Sequence, residues 1–397
     1  MTADVVPLIP GVPVLDFDSV PMGVDRGRGW AVVREAGSVV KMGDFYYVTR
    51  REDVVDALRR PELFSSKKAF DILGSPIPLV PISFDPPDHT RYRKILQPFF
   101  SPRTLGAMLP SLQQQIEELI DDLAAAGECE AVSGIAEPYP SQVFLTLFGL
   151  PVADRDRLMV WKDAVIALAD SPNLEGVDLT PALELFAYLN ETIAARRKEP
   201  GEDILSQLVT GEEALNDQDA IGLSFLFVLA GLDTVTASIG FALHELARNP
   251  ELRRSLVADP ERIPEFVEEV VRLEPPAPVL PRVTTAEVTI GGVTLPPDTF
   301  VRLCLGSANR EEGLVATPDD VLLDGVAHRH WGFGGGPHRC LGSHLARMEL
   351  KLVVTEWLRR VPEFELAPGA EPRIPFPANT FSLQSLPLRY PVTAEEA

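Results

Sequence analysis

The sequence is poor in cysteine and histidine and has no excess of positive charge. Its three cysteines, at positions 129, 304 and 340, show no paired spacing, which excludes a disulfide framework and fits a reducing compartment. The formal net charge of −22 argues against nucleic acid as a partner, because nucleic-acid binding needs a basic face. Residues 1–16 lack a basic start followed by a long apolar run, so we expect no signal peptide, no membrane anchor and a cytoplasmic location.

The chain also lacks any stretch that resembles a flexible linker. Hydrophobic residues make up 45% and charged residues 24% of its 397 positions, which is ordinary for a soluble globular protein. Periodicity and turn residues predict a β-hairpin around Gly43-Asp44 and a strand over 283–290. The same reasoning predicts helices over residues 52–60, 110–126 and 142–196, the last with breaks at 149–151 and 171–173.

One cysteine lies in a loop that is unusually rich in glycine. Residues 332–342 read G-F-G-G-G-P-H-R-C-L-G, so one face of this loop carries few side chains and another group can approach its backbone closely. An amphipathic helical pattern follows, which places Cys340 at a helix N-terminus. Free backbone N–H groups there favour thiolate over thiol, and a thiolate is a metal ligand.

Two other interpretations of Cys340 compete with a metal ligand. A lone cysteine beside a turn is often a buried structural residue. Zinc is the other possibility, because four of the six histidines lie near Cys340 in the sequence, at positions 328, 330, 338 and 344. Zinc sites usually show ligands paired at short fixed intervals, whereas a single thiolate over a bare glycine surface suits haem iron better.

The run F-G-G-G-P-H-R-C-L-G from Phe333 to Gly342 resembles the haem-binding signature of the cytochrome P450 family. This resemblance implies that Cys340 ligates the iron of haem b. It also implies a mainly α fold with a smaller β-rich region near the N-terminus, one domain over residues 1–397, and a haem between a long central helix and the Cys340 loop. In the same way it implies that five further loop residues and neighbours contact the haem or its propionates: Phe333, Gly334, His338, Gly342 and Arg282.

The longest predicted helix spans residues 216–249, and Asp233 is its only charged residue between Ile221 and Leu243. Such an apolar run could cross a membrane, but it equally suits a central helix that is buried on all sides. Within it, Ala230-Gly231-Leu232-Asp233-Thr234 resembles the P450 motif A-G-x-[DE]-T. The resemblance implies that Ala230 and Gly231 leave room beside the iron, that Asp233 relays protons and that Thr234 bonds bound dioxygen. A glycine and a back-bonding threonine in mid-helix are expected to loosen the helical ladder.

Three further patterns match the family. His89 and Arg93 stand four residues apart, as on one helix face, and resemble the pair that holds a haem propionate. Glu269 and Arg272 resemble the family's structural ion pair. The arginine that usually completes this pair is absent, because its position is Gly325, and either Arg310 or Arg329 could replace it.

These resemblances predict a soluble bacterial-type monooxygenase that hydroxylates a lipophilic small molecule. The oxidation would consume O₂ and two electrons from a ferredoxin with its NAD(P)H-dependent reductase, since the chain has no flavin or iron–sulfur motif. An H₂O₂-dependent peroxygenase and a non-catalytic haem sensor are the alternatives, although neither needs the Asp233-Thr234 pair. Predicted substrate contacts are Ile82, Ser83, Leu226, Ala230, Val279 and Phe381.

Overall fold

The structure is a computed structural model that describes residues 8–70, 77–169 and 178–392. Helices dominate it, as the sequence predicts, and short 3₁₀ turns connect several of them. The helices are α1 (Arg26–Ala36), α2 (Arg51–Arg59), α3 (Asp88–Leu96), α4 (Pro102–Ala124), α5 (Pro138–Leu147), α6 (Arg155–Ala169), α7 (Thr180–Lys198), α8 (Ile204–Thr210), α9 (Asp217–Arg248), α10 (Pro250–Ala258), α11 (Ile263–Leu273), α12 (Leu305–Ala308) and α13 (Ser343–Arg360).

The strands are short and form three sheets. They are β1 (Val39–Met42), β2 (Phe45–Val48), β3 (Phe64–Ser65), β4 (Glu128–Glu130), β5 (Val279–Thr284), β6 (Val288–Ile290), β7 (Val293–Leu295), β8 (Phe300–Cys304), β9 (Glu365–Leu366) and β10 (Pro387–Arg389). The five-stranded sheet has the order β1-β2-β8-β5-β3, in which only the β2–β8 pair is parallel among these neighbours. Strands β4, β10 and β9 form a second sheet, and β6 and β7 pair as a hairpin.

Most of the predicted elements are confirmed, and three differ. The hairpin at Gly43-Asp44 and the break at 149–151 are present, whereas the break predicted at 171–173 lies outside the described residues. Helix α4 begins at Pro102 and not at residue 110, because the Ser101 side chain accepts a hydrogen bond from the Thr104 N–H and caps the helix there. The predicted strand over 283–290 is two strands separated by a turn. The β-rich region also takes β5 and β8 from residues 279–304, so it is not built from the N-terminus alone.

Helix α9 occupies the centre of the molecule and packs against α5, α7, α11 and α13. The Asn216 side chain accepts a hydrogen bond from the Asp219 N–H at 2.9 Å and so caps the helix as predicted. Length and composition alone would allow α9 to cross a membrane, and 61% of its most apolar window is buried inside the protein. That burial is the arrangement expected of a core helix.

The Glu269–Arg272 pair lies on α11 and is buried. Arg272 donates two hydrogen bonds to the Glu269 carboxylate, at 2.8 and 2.7 Å, and none of its side-chain surface is exposed. The same guanidinium donates to the backbone carbonyls of Asn309, Pro318 and Asp320, and Glu269 also accepts from the Leu322 N–H. Backbone groups of residues 318–322 therefore take the place of the missing arginine.

Neither candidate for that missing arginine joins the pair. Arg310 forms ion pairs with Glu274 and Asp319, and Arg26 forms an ion pair with the second carboxylate oxygen of Glu274. The Arg329 guanidinium lies over the Trp331 ring, 5.5 Å from its centre.

Candidate active site

The glycine loop packs tightly against α2. Gly334 and Gly336 adopt positive φ angles of 67° and 62°, a region that favours glycine. A Cβ atom at Gly336 would lie 1.9 Å from the Leu58 carbonyl oxygen, so no other residue fits there without moving the backbone. The Cys340 N–H donates to the Phe333 carbonyl at 2.8 Å, which closes the loop and presents the cysteine at its tip.

Cys340 is a free cysteine with exposed surface. Burial raises the pKa of the Cys340 thiol, and the Gly342 N–H together with the cations Arg93, Arg339 and Arg347 acts in the opposite direction. Helix α13 begins three residues later, at Ser343. The Gly342 N–H thus favours the thiolate, in the direction expected of a helix N-terminus, while burial opposes it more strongly. A bound metal cation would reverse this balance, since metal ligation requires the thiolate.

The middle of α9 carries a bare patch. Ala230 and Gly231 keep accessible surface where their helix is otherwise largely buried, and a Cβ atom added to Gly231 would meet nothing within 4 Å. The Thr234 hydroxyl donates to the Ala230 carbonyl at 2.8 Å, as expected of a back-bonding threonine. The helix nevertheless runs unbroken from Asp217 to Arg248, so the expected loosening of its ladder is not seen.

Four cationic or polar side chains gather beside the glycine loop. The rings of His89 and His338 lie 4.0 Å apart, and Arg282 is 3% exposed. Burial and the charge of Arg282 lower the pKa of His338 to about 2, and burial and the charge of Arg93 lower that of His89 to about 4. Both rings are therefore neutral near pH 7.

This cluster is short of acceptors. The buried Nδ1 atom of His89 has no hydrogen-bond partner within the described part of the chain. The Arg282 side chain donates to the carbonyl of its neighbour Pro281, and burial lowers the pKa of its guanidinium to about 10. Guanidinium and imidazole N–H groups without a protein acceptor suit the carboxylates of a ligand. The bare glycine surfaces and this cluster together fit a flat group that carries carboxylates, as haem does.

Asp233 is held by a lysine that no motif predicts. The Lys162 ammonium on α6 lies 2.6 Å from the Asp233 carboxylate and 3.0 Å from that of Asp163. Burial raises the pKa of Asp233, and Lys162 opposes that rise. Burial tends to lower the pKa of Lys162, but Asp233 and Asp163 raise it overall, so the ammonium stays charged.

The predicted substrate contacts fall into two groups. Ile82 and Leu226 pack in an apolar cluster beside α9, and Ser83 lies half-buried with Ile82. Phe381 is 3% exposed and stacks on Trp30, with ring centres 6.3 Å apart, and Val279 is buried in the same core cluster. Because their side chains serve that core, substrate contact by Phe381 and Val279 stays a prediction with less structural support than the first group.

Sequence reasoning missed Lys162 and two residues that anchor His338. The Ser66 hydroxyl lies 3.2 Å from His338 Nε2, and the Ser66 N–H donates to the Asp85 carboxylate at 2.8 Å. No sequence pattern marks Ser66, because the strand that precedes it, β3, is only two residues long. The Asp85-Pro86-Pro87 helix start was visible, but the acceptor role of Asp85 depends on its contacts with Ser65 and Ser66, which lie 20 and 19 residues earlier in the chain.

The zinc alternative finds no ligand set. Throughout the described residues, no group of three or more His, Cys, Asp or Glu side chains is placed to hold a metal ion. His328 and His330 instead contact the carboxylates of Asp324 and Glu268.

Comparison with known proteins identifies the family. A sequence model of the family described as cytochrome P450 matches residues 182–392. The chain is 33% identical to cytochrome P450 130 of Mycobacterium tuberculosis over 88% of this chain and 89% of that protein. It is 34% identical to mycinamicin IV hydroxylase/epoxidase of Micromonospora griseorubida over 72% of this chain and 73% of that enzyme.

A solved structure shows the same fold. Cytochrome P450 CYP109Q5 from Chondromyces apiculatus superposes with a TM-score of 0.86 at 28% identity, covering 96% of this chain and 99% of that one. The chain therefore belongs to the cytochrome P450 family of haem-iron monooxygenases.

Proposed function

We propose that the protein hydroxylates a lipophilic small molecule in the cytoplasm with haem b, O₂ and two electrons from a ferredoxin and its NAD(P)H-dependent reductase. The observation that carries this proposal is the position of Cys340 at the tip of a glycine loop, beside a cluster of histidines and arginines in which the buried His89 Nδ1 atom has no partner among the described residues. When bound, haem iron supplies the activation of O₂ and its insertion into a substrate C–H bond.

The chain's own residues would hold that cofactor by two kinds of contact. The Cys340 thiolate would ligate the metal, and the Gly342 N–H that lowers its pKa would also stabilise its charge. Arg93, Arg282, His89 and His338 would bind the propionates. Phe333, Gly334, Gly342, Ala230 and Gly231 would line the faces of the ring, where small or flat residues allow a close approach.

Proton delivery would depend on Asp233 and Thr234. Asp233 has a pKa raised by burial, so its carboxyl group can take up and release a proton nearer to neutral pH than an exposed aspartate. The Thr234 hydroxyl donates to the Ala230 carbonyl, which leaves its oxygen lone pairs free to accept. Lys162 would act through Asp233, because it holds the carboxylate on the α6 side of α9 and limits the rise of its pKa.

The substrate would enter a largely apolar space beside Ala230. Leu226 lies one helical turn before Ala230, and Ile82 packs in the same cluster. These side chains favour a lipophilic molecule over a polar one. The similarity to a mycinamicin hydroxylase/epoxidase supports oxidation of a bulky organic substrate without identifying it.

A spectral binding screen followed by turnover tests this function. We expect a lipophilic ligand to perturb the haem absorption of the purified protein. With ferredoxin, reductase and NAD(P)H under ¹⁸O₂, the product should carry one labelled oxygen atom. Product formed from H₂O₂ alone but not from this system would establish the peroxygenase instead. Ligand binding without product from either oxidant would establish a sensor.

A further inference from the structure

A second cavity lies at the C-terminal half of α9. Its volume is about 580 Å³, within the range of roughly 300–1,000 Å³ typical of small-molecule sites. Phe241 on its wall lies ten residues after Gly231, or about 15 Å along the helix, so the cavity is separate from the proposed haem site. It is lined by α1, α9, α11 and the loop at residues 319–321.

One buried side chain in this cavity lacks a partner. His244 is 8% exposed and lines the cavity, and its ring makes no hydrogen bond to any residue that the structure describes. Burial and the nearby charges of Arg248 and Arg26 lower the pKa of His244 to about 4. The neutral imidazole therefore presents one N–H donor and one nitrogen acceptor. At least one of its ring nitrogens is open to the cavity, where it can bond a ligand.

Negative charges outnumber positive charges around His244. The lining contains five carboxylates against three guanidinium groups: Asp25, Glu245, Glu274, Asp319 and Asp320 against Arg26, Arg248 and Arg310. Two of these arginines are already paired, since Glu274 binds both Arg26 and Arg310 and Asp319 binds Arg310 again.

Two carboxylates make no hydrogen bond that would exclude a cation. The side chains of Glu245 and Asp320 accept no hydrogen bond from the described residues, and burial raises the pKa of Glu245 while the charges of Arg248 and Arg26 oppose that rise. The lining also includes the apolar side chains of Phe241, Val270 and Leu273, and the Arg26 guanidinium lies over the Phe241 ring, 5.2 Å from its centre. Carboxylates beside apolar side chains suit a molecule that has a cationic end and a short aliphatic body.

We propose that this cavity binds a small organic cation with a primary ammonium or guanidinium group, held by Glu245 and Asp320 and by a hydrogen bond to His244. Binding would also affect the Glu269–Arg272 ion pair, because the Asp320 carbonyl accepts a hydrogen bond from Arg272. A cation on Asp320 would hold residues 319–321 in place and so stabilise the packing around Glu269 and Arg272. This proposal does not depend on the reaction at the haem.

Calorimetric titration of the haem-loaded protein with 1,5-diaminopentane and with agmatine tests the site. We expect saturable binding of one molecule and a higher melting temperature in its presence. The neutral isostere 1,5-pentanediol should not bind. Glu245→Gln and Asp320→Asn should each weaken binding about tenfold, the loss of one favourable charge contact of about 1.4 kcal/mol.

The control separates a site from general attraction to an acidic protein. Glu118→Gln removes an exposed carboxylate from α4, outside the cavity, and should leave the affinity unchanged. If Glu118→Gln weakens binding as much as Glu245→Gln, the cations are only counter-ions of the net charge and the proposal is overturned. Absence of saturable binding, or equal binding of the diol, overturns it as well.

Discussion

Thr234 and Ser238 make the same kind of hydrogen bond one helical turn apart on α9. The Thr234 hydroxyl donates to the Ala230 carbonyl at 2.8 Å, and the Ser238 hydroxyl donates to the Thr234 carbonyl at 3.0 Å. Of these two residues, only Thr234 lies within one helical turn of the bare patch at Ala230 and Gly231. Ser238 is 5% exposed and belongs to the buried part of the helix.

This difference gives a matched test of Thr234. We expect Thr234→Ala to keep its haem but to form several-fold less product per NAD(P)H consumed, because the hydroxyl no longer takes part in proton delivery and more of the O₂ leaves as H₂O₂. The ratio of product to NAD(P)H and the H₂O₂ yield measure this effect. Ser238→Ala should leave both unchanged. An unaltered ratio in Thr234→Ala would assign the threonine to packing alone.

Lys162 has a separate, pH-dependent prediction. Its ammonium lowers the pKa of Asp233 against the effect of burial, so Lys162→Met should raise that pKa further. The pH at which product yield per NAD(P)H changes should therefore move upward, and Lys162→Arg should restore it. An unchanged pH profile in Lys162→Met would show that the lysine only ties α6 to α9.

Sequence alone could predict the residues whose role follows from local spacing. Cys340 and Thr234 each lie in a short run that resembles a family motif, and the sequence predicts their roles from that run. Lys162 has no such run, because its partner lies 71 positions away and the pairing depends on how α6 packs on α9. The same limit applies to Phe381, whose burial against Trp30 needs the fold.

At the scale of elements, α11 is attached to residues 318–322 through Glu269 and Arg272. Both side chains are almost fully buried, and each also bonds backbone groups of that loop. Removing one partner of such a pair leaves an uncompensated buried charge, which costs about 3–5 kcal/mol. We therefore expect Glu269→Gln to lower the free energy of unfolding by an amount in that range, measured by denaturant titration.

An exposed ion pair provides the comparison. Glu365 and Arg389 face each other across β9 and β10 and are both more than half exposed. Glu365→Gln should cost less than about 1 kcal/mol, because solvent screens such pairs. Equal losses in the two variants would contradict the structural role of the Glu269–Arg272 pair.

The sequence predicted the helices and strands better than the contacts that join them. Glu269 and Arg272 stand three residues apart, so their pairing on a helix could be expected, but the backbone partners at 318–322 could not. The five-stranded sheet was only partly predicted for a similar reason. Its β8 pairs with β2 and β5 across long stretches of sequence, and strand periodicity does not reveal which strands pair.

At the scale of the whole molecule, the acidic chain exposes a small group of cations near the Cys340 loop. Arg347 is bound by Glu268, and Arg93 is half-buried, so neither is free to form a surface patch. Five cations in these segments remain exposed: Arg91, Lys94, Arg103, Arg329 and Arg339. This group could attract an acidic ferredoxin, since complementary charge raises the rate of encounter.

That attraction predicts a salt-dependent electron transfer. Stopped-flow reduction by a ferredoxin should slow as ionic strength rises, and Arg103→Glu and Arg339→Glu should slow it at low salt without changing substrate affinity. Arg254→Glu makes the same charge change on α10 and should have little effect. A rate that is independent of salt and of all three substitutions would remove this group from the account.

The central claim is that Cys340 provides a thiolate to haem iron, and the spectrum of the reduced, CO-bound protein tests it most directly. We predict a Soret band strongly shifted to the red in the natural protein and in Cys129→Ser, and loss of that band in Cys340→Ser, because a serine oxygen is a harder and poorer donor to haem iron. An unshifted band in the natural protein, or a red-shifted band that survives Cys340→Ser, would contradict the account.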